Sequence, residues 1–170
     1  MTRSLYSKFI LGYLIFGLLG FLTIATFSSR MVRTHLIEEQ ADALYDEAHM
    51  IASTYSNMYQ GERQDAAEVS SQIRMLGQYL RAEIWVINRQ GTIVMDSLGG
   101  SRVQTKVEDF DPTAIGSRSY SIGNYYGIFD GNVLSVSAPI TGNYTTYGYV
   151  LIHLPMAQIS LSQDNILNIL

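Results

Sequence analysis

One uninterrupted apolar run near the N-terminus constrains this chain more than any other feature. Residues 9–27 read FILGYLIFGLLGFLTIATF and contain no charged side chain. A helix of that length is about 28 Å long, which is close to the roughly 30 Å thickness of a bilayer hydrocarbon core. We therefore predict a transmembrane helix over residues 9–28, preceded by a short N-terminal segment at residues 1–8.

The charges that flank this run bear on its orientation. Arg3 and Lys8 precede the run, and Arg30 and Arg33 follow it, so positive charge barely distinguishes the two sides. The very short leader and the acidic sequence downstream favour a cytoplasmic N-terminus. This places residues after about 30 outside the cytoplasm, on the plasma membrane.

A cleaved signal peptide is the alternative interpretation of the same run. The run is longer than the roughly 7–15 apolar residues of a signal peptide, and residues 26–28 (TFS) match an Ala-x-Ala cleavage site poorly. Both interpretations place the rest of the chain outside the cytoplasm.

Composition excludes several classes of function. The chain has no cysteine, which excludes disulfide scaffolds, thiolate metal sites and cysteine nucleophiles. Between Thr34 and Ser160 there are seven Lys and Arg against fourteen Asp and Glu, a net charge of −7. Such a domain is not expected to bind nucleic acid, whose phosphates need a basic surface, but it should attract cations or cationic peptides.

Two helices are predicted after the membrane span. Apolar residues recur at spacings of four and three, which predicts a membrane-proximal helix over residues 29–60 that packs on its own domain or on a twin helix. The stripe comprises Ile37, Ala41, Leu44, Ala48, Ile51, Tyr55 and Met58. Gly61 interrupts the pattern, and the same spacing from Ala66 to Leu80 predicts a second, shorter helix.

Five short strands are predicted beyond these helices. EIWVIN (83–88) and TIVMD (92–96) are separated by a turn that contains Gly91, as expected for a β-hairpin. Alternating or apolar runs at 117–129, 133–139 and 146–154 complete the set. We therefore expect an α+β fold: a transmembrane helix that continues into a long helix, then a five-stranded antiparallel sheet.

The chain resembles the extracytoplasmic sensor region of bacterial membrane-bound histidine kinases, which has the PAS-like fold called the Cache or PDC domain. The resemblance lies in the hairpin from Val86 to Ser97 (VINRQGTIVMDS) and in the pair of segments SVSAPI (135–140) and GYVLIHLP (148–155). It implies a PAS-like sensor domain at residues 61–155. It also implies an exit helix at residues 156–170, leading back to a second transmembrane span that would follow.

The resemblance further implies a homodimeric receptor in contact with membrane lipid. An unknown extracellular signal or partner would be detected outside. Cytoplasmic modules absent from this sequence would use ATP and Mg to phosphorylate a histidine and pass the phosphate to a response regulator. Alternatives with the same outer module are a chemoreceptor or a cyclic-dinucleotide enzyme; a membrane-anchored binding or assembly protein is a further alternative.

No catalytic residue and no cofactor site is predicted within these residues. Nucleotide-binding motifs are absent from the sequence, and neither a Ser-His-Asp arrangement nor a carboxylate pair can be argued from spacing. Of the three histidines, His35, His49 and His153, His49 follows Asp46 at the i, i+3 helical spacing at which the two side chains could share a cation. Two such ligands make a weak metal site, and we predict a solvated helix face there.

Two groups of residues are candidates for ligand binding. In PAS-like domains a small-molecule pocket lies between the sheet and the loop that joins the second and third strands. Arg118, Tyr120 and Tyr126 share one parity of the predicted third strand and would present a cation and two phenols to a ligand. The acidic residues Glu108, Asp109 and Asp111 are candidates for a divalent cation, with a solvated loop as the alternative.

Overall fold

The computed structural model describes residues 2–59, 66–111 and 120–159. The chain divides into two compact units, an N-terminal unit (Met1–Glu39) and a C-terminal unit (Gln40–Leu170). The described residues form two helices and five strands: α1 (Thr2–Tyr59), α2 (Ala66–Leu80), β1 (Glu83–Asn88), β2 (Ile93–Asp96), β3 (Tyr120–Gly123), β4 (Val133–Gly142) and β5 (Thr145–Pro155). Residues 156–159 add one helical turn after β5.

The N-terminal unit is helical throughout its described residues. Among these residues, one helix is long and apolar enough to cross a membrane, and its apolar window has no buried residue. Large apolar side chains such as Phe9 and Phe16 are exposed all around it, Phe16 to 79%. A helix that is apolar on every face and packs on nothing within its own unit is consistent with a membrane anchor.

The C-terminal unit begins with the last part of α1. Here the predicted stripe is buried at Ala41, Leu44, Ala48, Ile51 and Tyr55, so this amphipathic pattern marks the face that packs within the unit. The side chain of Met58 lies outside the described residues. Near the end of α1, the hydroxyl of Ser56 donates to the carbonyl of Thr141 in β4, which connects the helix to the sheet.

The sheet is antiparallel in the order β2-β1-β5-β4-β3. This confirms the predicted α+β class with a five-stranded antiparallel sheet. Its long central strand, β5, pairs with β1 along Glu83–Asn88 and with β4 along Val133–Gly142. The central strands are nearly continuous apolar runs because both faces of the sheet are covered.

The two faces differ in what covers them. On one face, the side chains of Ile84, Val86 and Ile152 are fully buried. The aromatic core cluster lies on the opposite face. The other face carries Trp85, Ile87 and Leu151 and is covered by side chains from the segments that join β2 to β3 and β3 to β4. Val107, Phe110, Tyr125, Ile128 and Phe129 supply this cover.

The predicted hairpin between β1 and β2 is present. The Asn88 side-chain oxygen accepts hydrogen bonds from the backbone N–H groups of Gln90 and Thr92, at 3.0 and 2.9 Å. Gly91 has a φ of +80°, which only glycine adopts without strain. A turn-forming asparagine followed by this glycine fixes the register in which β2 returns along β1.

One glycine in the sheet interior is required by close packing. Gly148 in β5 lies opposite Asn88 of β1 and Ile140 of β4. A Cβ atom at this position would overlap the carbonyl oxygen of Ile87 and come within 3.2 Å of its carbonyl carbon. The two strands therefore pair at this end of the sheet only because residue 148 has no side chain.

Two predicted element boundaries are wrong. The strand expected over 117–129 ends at Gly123, because Tyr125, Tyr126 and Gly127 have positive φ angles and turn the chain. This turn is held by a 3.0 Å bond from the Phe129 N–H to the Asn124 carbonyl. Strand β4 continues to Gly142, past its predicted end at residue 139, and the turn after it is formed by Asn143 and Tyr144, both with positive φ.

Candidate ligand site

A row of polar side chains crosses the sheet on its loop-covered face, at the end where β1 begins. Glu83 of β1 pairs directly with His153 of β5, which pairs with Ser135 of β4, which in turn pairs with Ser121 of β3. Residues opposite each other on neighbouring strands project from the same face. The strand register thus gathers four polar residues from four strands into one row within an otherwise apolar core.

His153 is the most buried member of this row, with 0% of its surface exposed. Its Nδ1 atom is hydrogen bonded to the Ser135 hydroxyl at 2.8 Å. Burial, and to a lesser degree the nearby Arg102 cation, lowers the pKa of His153 to about 3. The imidazole is therefore neutral at physiological pH, with one nitrogen bonded to Ser135.

The second ring nitrogen of His153, Nε2, differs from Nδ1 in its hydrogen bonding. Nε2 is buried and has no hydrogen-bond partner among the described residues. A buried polar atom without a partner costs stability, about 1–3 kcal/mol. Such atoms are uncommon in folded proteins and call for an explanation in terms of function or of a missing partner.

Three aromatic rings surround this imidazole. The ring centroids of Trp85 and Tyr125 are each 4.3 Å from that of His153, and the Phe129 centroid is 5.1 Å away. Trp85 and Phe129 stack nearly parallel, at 9° and 5.5 Å. Burial and the neighbouring Tyr126 raise the pKa of Tyr125, so its phenol stays protonated.

A charged pair, formed by Glu83 and Arg102, lies beside the same group of rings. The Arg102 Nε atom lies 3.0 Å from Glu83 Oε1, which also accepts a 2.8 Å hydrogen bond from Trp85 Nε1. The Arg102 guanidinium carbon is 5.5 Å from the Trp85 ring centroid and 5.1 Å from that of Phe129. We call Glu83, Trp85, Arg102, Tyr125, Phe129 and His153 together the Trp85 cluster.

The two charges of this pair have different exposure. The Arg102 side chain is 31% exposed, and that of Glu83 is 10% exposed. Burial raises the pKa of the Glu83 carboxyl, and the hydrogen bond from Trp85 and the Arg102 cation oppose that shift. Glu83 is thus a largely desolvated carboxylate whose charge is balanced by one partly exposed guanidinium.

Asp96 places Arg102 over the cluster. Its carboxylate accepts hydrogen bonds from the backbone N–H groups of Leu98 at 2.9 Å and Arg102 at 3.3 Å, and it lies 3.5 Å from the Ser101 hydroxyl. These bonds fold the segment after β2 back toward the sheet. Asp96 of the hairpin motif therefore acts locally, because it fixes the loop that carries the arginine.

Of the predicted pocket residues Arg118, Tyr120 and Tyr126, the two that the structure describes, Tyr120 and Tyr126, do not share one face of a strand. Arg118 lies outside the described residues. Tyr120 pairs with Val136 and so lies on the opposite face from Ser135 and His153. Tyr126 is not part of β3, because the strand ends at Gly123, so the parity argument that grouped them is wrong.

Tyr126 instead lines a cavity beside the Trp85 cluster. The cavity has a volume of about 240 Å³ and is bounded by Phe110, Asp111, Tyr125 and Tyr126 together with the end of β3. The Tyr126 hydroxyl accepts a 3.4 Å hydrogen bond from the Asp111 N–H. Tyr125 lines this cavity and also contacts the imidazole of His153.

The acidic candidates Glu108, Asp109 and Asp111 are all exposed in the loop before the cavity. Within residues 2–59, 66–111 and 120–159, no group of three or more His, Asp or Glu side chains is arranged to hold a metal ion. Asp46 and His49 are exposed on α1, as expected for a solvated face. Cation binding at the 108–111 loop stays a prediction.

Sequence reasoning missed most of the Trp85 cluster. His153 was placed on the last strand without a role, and Glu83, Trp85 and Arg102 were not singled out. A usable signal was present: polar residues interrupt the buried strands at Glu83, Ser135 and His153. A polar side chain inside an apolar strand must be paired or functional, and the register shows that these three are neighbours.

The fold is similar to that of a solved sensor domain. The crystal structure of the V. cholerae histidine kinase DctB sensor domain matches this chain with a TM-score of 0.50 and 14% sequence identity. The match covers 78% of this chain and 53% of that domain, so the chain spans about half the length of the solved domain. No family model and no curated protein matches the sequence. The likeness confirms the predicted PAS-like sensor fold.

Proposed function

We propose that this chain is the extracytoplasmic signal-sensing and transmembrane signal-transducing region of a sensor histidine kinase. The observation that carries the proposal is the order of its parts: a helix of membrane-spanning length is followed directly by a PAS-like sensor fold. The buried polar and aromatic Trp85 cluster, lying under the loop-covered face of that fold, supplies a site at which a signal can bind.

The proposal includes a topology and a partner set. The N-terminus lies in the cytoplasm and the C-terminal unit lies outside, as a homodimer anchored in membrane lipid. A second span after the exit helix connects it to a cytoplasmic kinase that uses ATP and Mg and phosphorylates a response regulator. Of the exit helix, residues 156–159 are described and helical, and residues 160–170 lie outside the described residues.

Signal transmission in this scheme depends on helix position. A ligand shifts the balance between two arrangements of the dimer only if it binds them with different affinities. Helix α1 is continuous from Thr2 to Tyr59, so a change in its position or rotation outside the membrane is carried along the same helix. The proposed transmitters are α1 and the segment that follows β5.

Topology is testable because the chain has no cysteine. Tyr144, at the tip of the β4–β5 hairpin, is fully exposed, so Tyr144→Cys introduces a single reactive thiol. We expect a membrane-impermeant maleimide to label Tyr144→Cys in intact cells. The matched variant Ser7→Cys should be labelled only after permeabilisation. The reverse pattern would contradict the proposed orientation.

Coupling through α1 is tested by insertions next to Arg33. Each inserted residue rotates the helix beyond it by about 100° relative to the part before it. Insertions of one, two or three alanines should therefore uncouple output in a reporter strain that carries the parent kinase. A seven-residue insertion leaves a rotation of only about 20° and should restore much of the response.

The fold of the C-terminal unit serves as the control for these insertions. Trp85 is the only tryptophan of the chain and is fully buried, so its fluorescence should remain that of the wild type in every insertion. If output follows the signal normally after every insertion, the helix-coupling mechanism is wrong.

A further inference from the structure

The guanidinium of Arg102 is held as a bound cation would be held. It lies over two aromatic rings, with its carbon 5.5 Å from the Trp85 centroid and 5.1 Å from the Phe129 centroid. Its Nε atom is 3.0 Å from the carboxylate of Glu83. Ring faces combined with one desolvated carboxylate are the groups that recognise organic cations.

One acceptor of the site is left over when Arg102 fills it. His153 is fully buried among Trp85, Tyr125 and Phe129, and its Nε2 atom has no partner among the described residues. When Nδ1–H donates to the Ser135 hydroxyl, Nε2 carries a lone pair and accepts a hydrogen bond. In that state, an N–H donor of a ligand that enters the cluster would satisfy this nitrogen.

The charge of the surrounding domain favours the same class of ligand. The segment from Thr34 to Ser160 has a net charge of −7, which raises the local concentration of cations and disfavours the approach of anions. Beside the ring faces of the Trp85 cluster lie the charged side chains of Glu83 and Arg102, and the Asp96 carboxylate is near enough to Glu83 to raise its pKa. Without the arginine, the site presents only negative charge and ring faces.

Arg102 is also the member of the cluster that is most able to leave. Its side chain is 31% exposed, and it lies on a loop rather than on a strand. The hydrogen bond from the Arg102 backbone N–H to the Asp96 carboxylate holds the loop in place. The Arg102 side chain can therefore swing out while the loop stays folded. Departure would also release the 3.5 Å contact between its Nη1 atom and the carbonyl of Ile128, next to Phe129.

We propose that the Trp85 cluster binds an organic cation that carries a guanidinium or amine group, and that Arg102 occupies the site as an internal substitute until such a ligand displaces it. The inference rests on the sensor function proposed above and names the chemical class of its signal. Displacement of Arg102 breaks its link between the loop after β2 and the segment after β3. The link is present without ligand and broken with ligand, so the two states have different structures, as a sensor requires.

The test uses the full chain in lipid nanodiscs and the fluorescence of Trp85, the only tryptophan. The probe is methylguanidinium chloride, and methylurea serves as a neutral molecule of similar shape. Because an internal competitor lowers apparent affinity, Arg102→Ala should bind methylguanidinium about tenfold more tightly than the wild type. Arg74→Ala, which removes an exposed arginine of α2, is the matched control and should bind like the wild type.

Further measurements separate the possible explanations. Adding Glu83→Gln to Arg102→Ala should weaken methylguanidinium binding about tenfold or more, because the charged acceptor is lost. Arg102→Gln keeps most of the side-chain stem and removes the charge, so it repeats the test if Arg102→Ala fails to fold. Circular dichroism establishes that each variant is folded.

Three results would overturn the proposal. Binding of methylguanidinium to folded Arg102→Ala and Arg102→Gln that is no tighter than to Arg74→Ala would rule out an internal substitute. Equal binding of methylurea would rule out recognition of charge. Preferential binding of acetate would make the site an anion site. The insertions at Arg33 do not depend on ligand class, so any of these results alongside uncoupled insertions would reject the cation and leave the sensor function standing.

Discussion

Lowering the pH from 6.5 to about 4 should reduce the free energy of unfolding of the C-terminal unit by about 3 kcal/mol through His153 alone. Burial lowers the pKa of His153 from 6.5 to about 3 in the folded protein. Between these values the unfolded chain binds a proton that the folded chain does not bind. Stability is therefore complete above pH 6.5 and is lost progressively as the pH falls toward 3.

The groups that face His153 determine how this is measured. Burial and the neighbouring Tyr126 raise the pKa of Tyr125, so its phenol does not titrate in this range. Burial raises the pKa of Glu83, which makes the folded protein take up a proton more readily than the unfolded chain. That effect opposes the one from His153 and must be subtracted.

A matched variant isolates the contribution of His153. Asparagine at 153 retains a polar group near the Nδ1 position, within reach of Ser135, but does not titrate. Urea unfolding followed by Trp85 fluorescence at pH 6.5 and about 4 should show the loss in the wild type and in His49→Asn, but not in His153→Asn. Equal losses in all three proteins would mean that His153 is not buried as a neutral group.

Gly148→Ala should destabilise the same unit by about 3 kcal/mol or more, or prevent its folding. The added Cβ atom would overlap the Ile87 carbonyl oxygen and approach two further backbone atoms of β1 within 3.3 Å. Backbone atoms at the centre of a sheet cannot move aside as a flexible side chain can, so the β1–β5 pairing must open.

Gly123→Ala is the control for this substitution. Gly123 also lies in a strand, β3, but a Cβ atom there would meet nothing within 4 Å. Alanine in a strand loses less conformational entropy than glycine, so we expect no destabilisation and a gain of up to about 1 kcal/mol. Similar unfolding midpoints for Gly148→Ala and Gly123→Ala would contradict the tight packing seen at residue 148.

Local patterns predicted the elements well. The 3.6-residue period of apolar residues located α1 and α2, and the glycine of the first turn located the β1–β2 hairpin. The third strand was predicted too long because Tyr120, Ile122 and Tyr126 alternate in sequence. The positive φ angles at Tyr125 and Tyr126 end that alternation. Tyrosine is not a residue type that predicts a positive φ angle.

The candidate site was much harder to predict, because its residues meet only through strand register and loop folding. Glu83 and His153 are neighbours because β1 lies next to β5, an order that apolar periodicity does not specify. Arg102 reaches the Trp85 ring only because Asp96 folds the intervening loop. Sequence indicated that the strands contained polar residues, and the structure showed that they share one face.

The edge of the sheet at β2 has a consequence for how copies of the chain meet at high concentration. The N–H of Ile93 donates to the Thr105 carbonyl, its carbonyl accepts from the Gln104 N–H, and Thr92 bridges to Lys106. The chain's own loop thus uses the outward-facing hydrogen bonds that a neighbouring molecule would need to add a strand. Copies of the chain at high local density are thereby protected, along this border, from intermolecular β-aggregation.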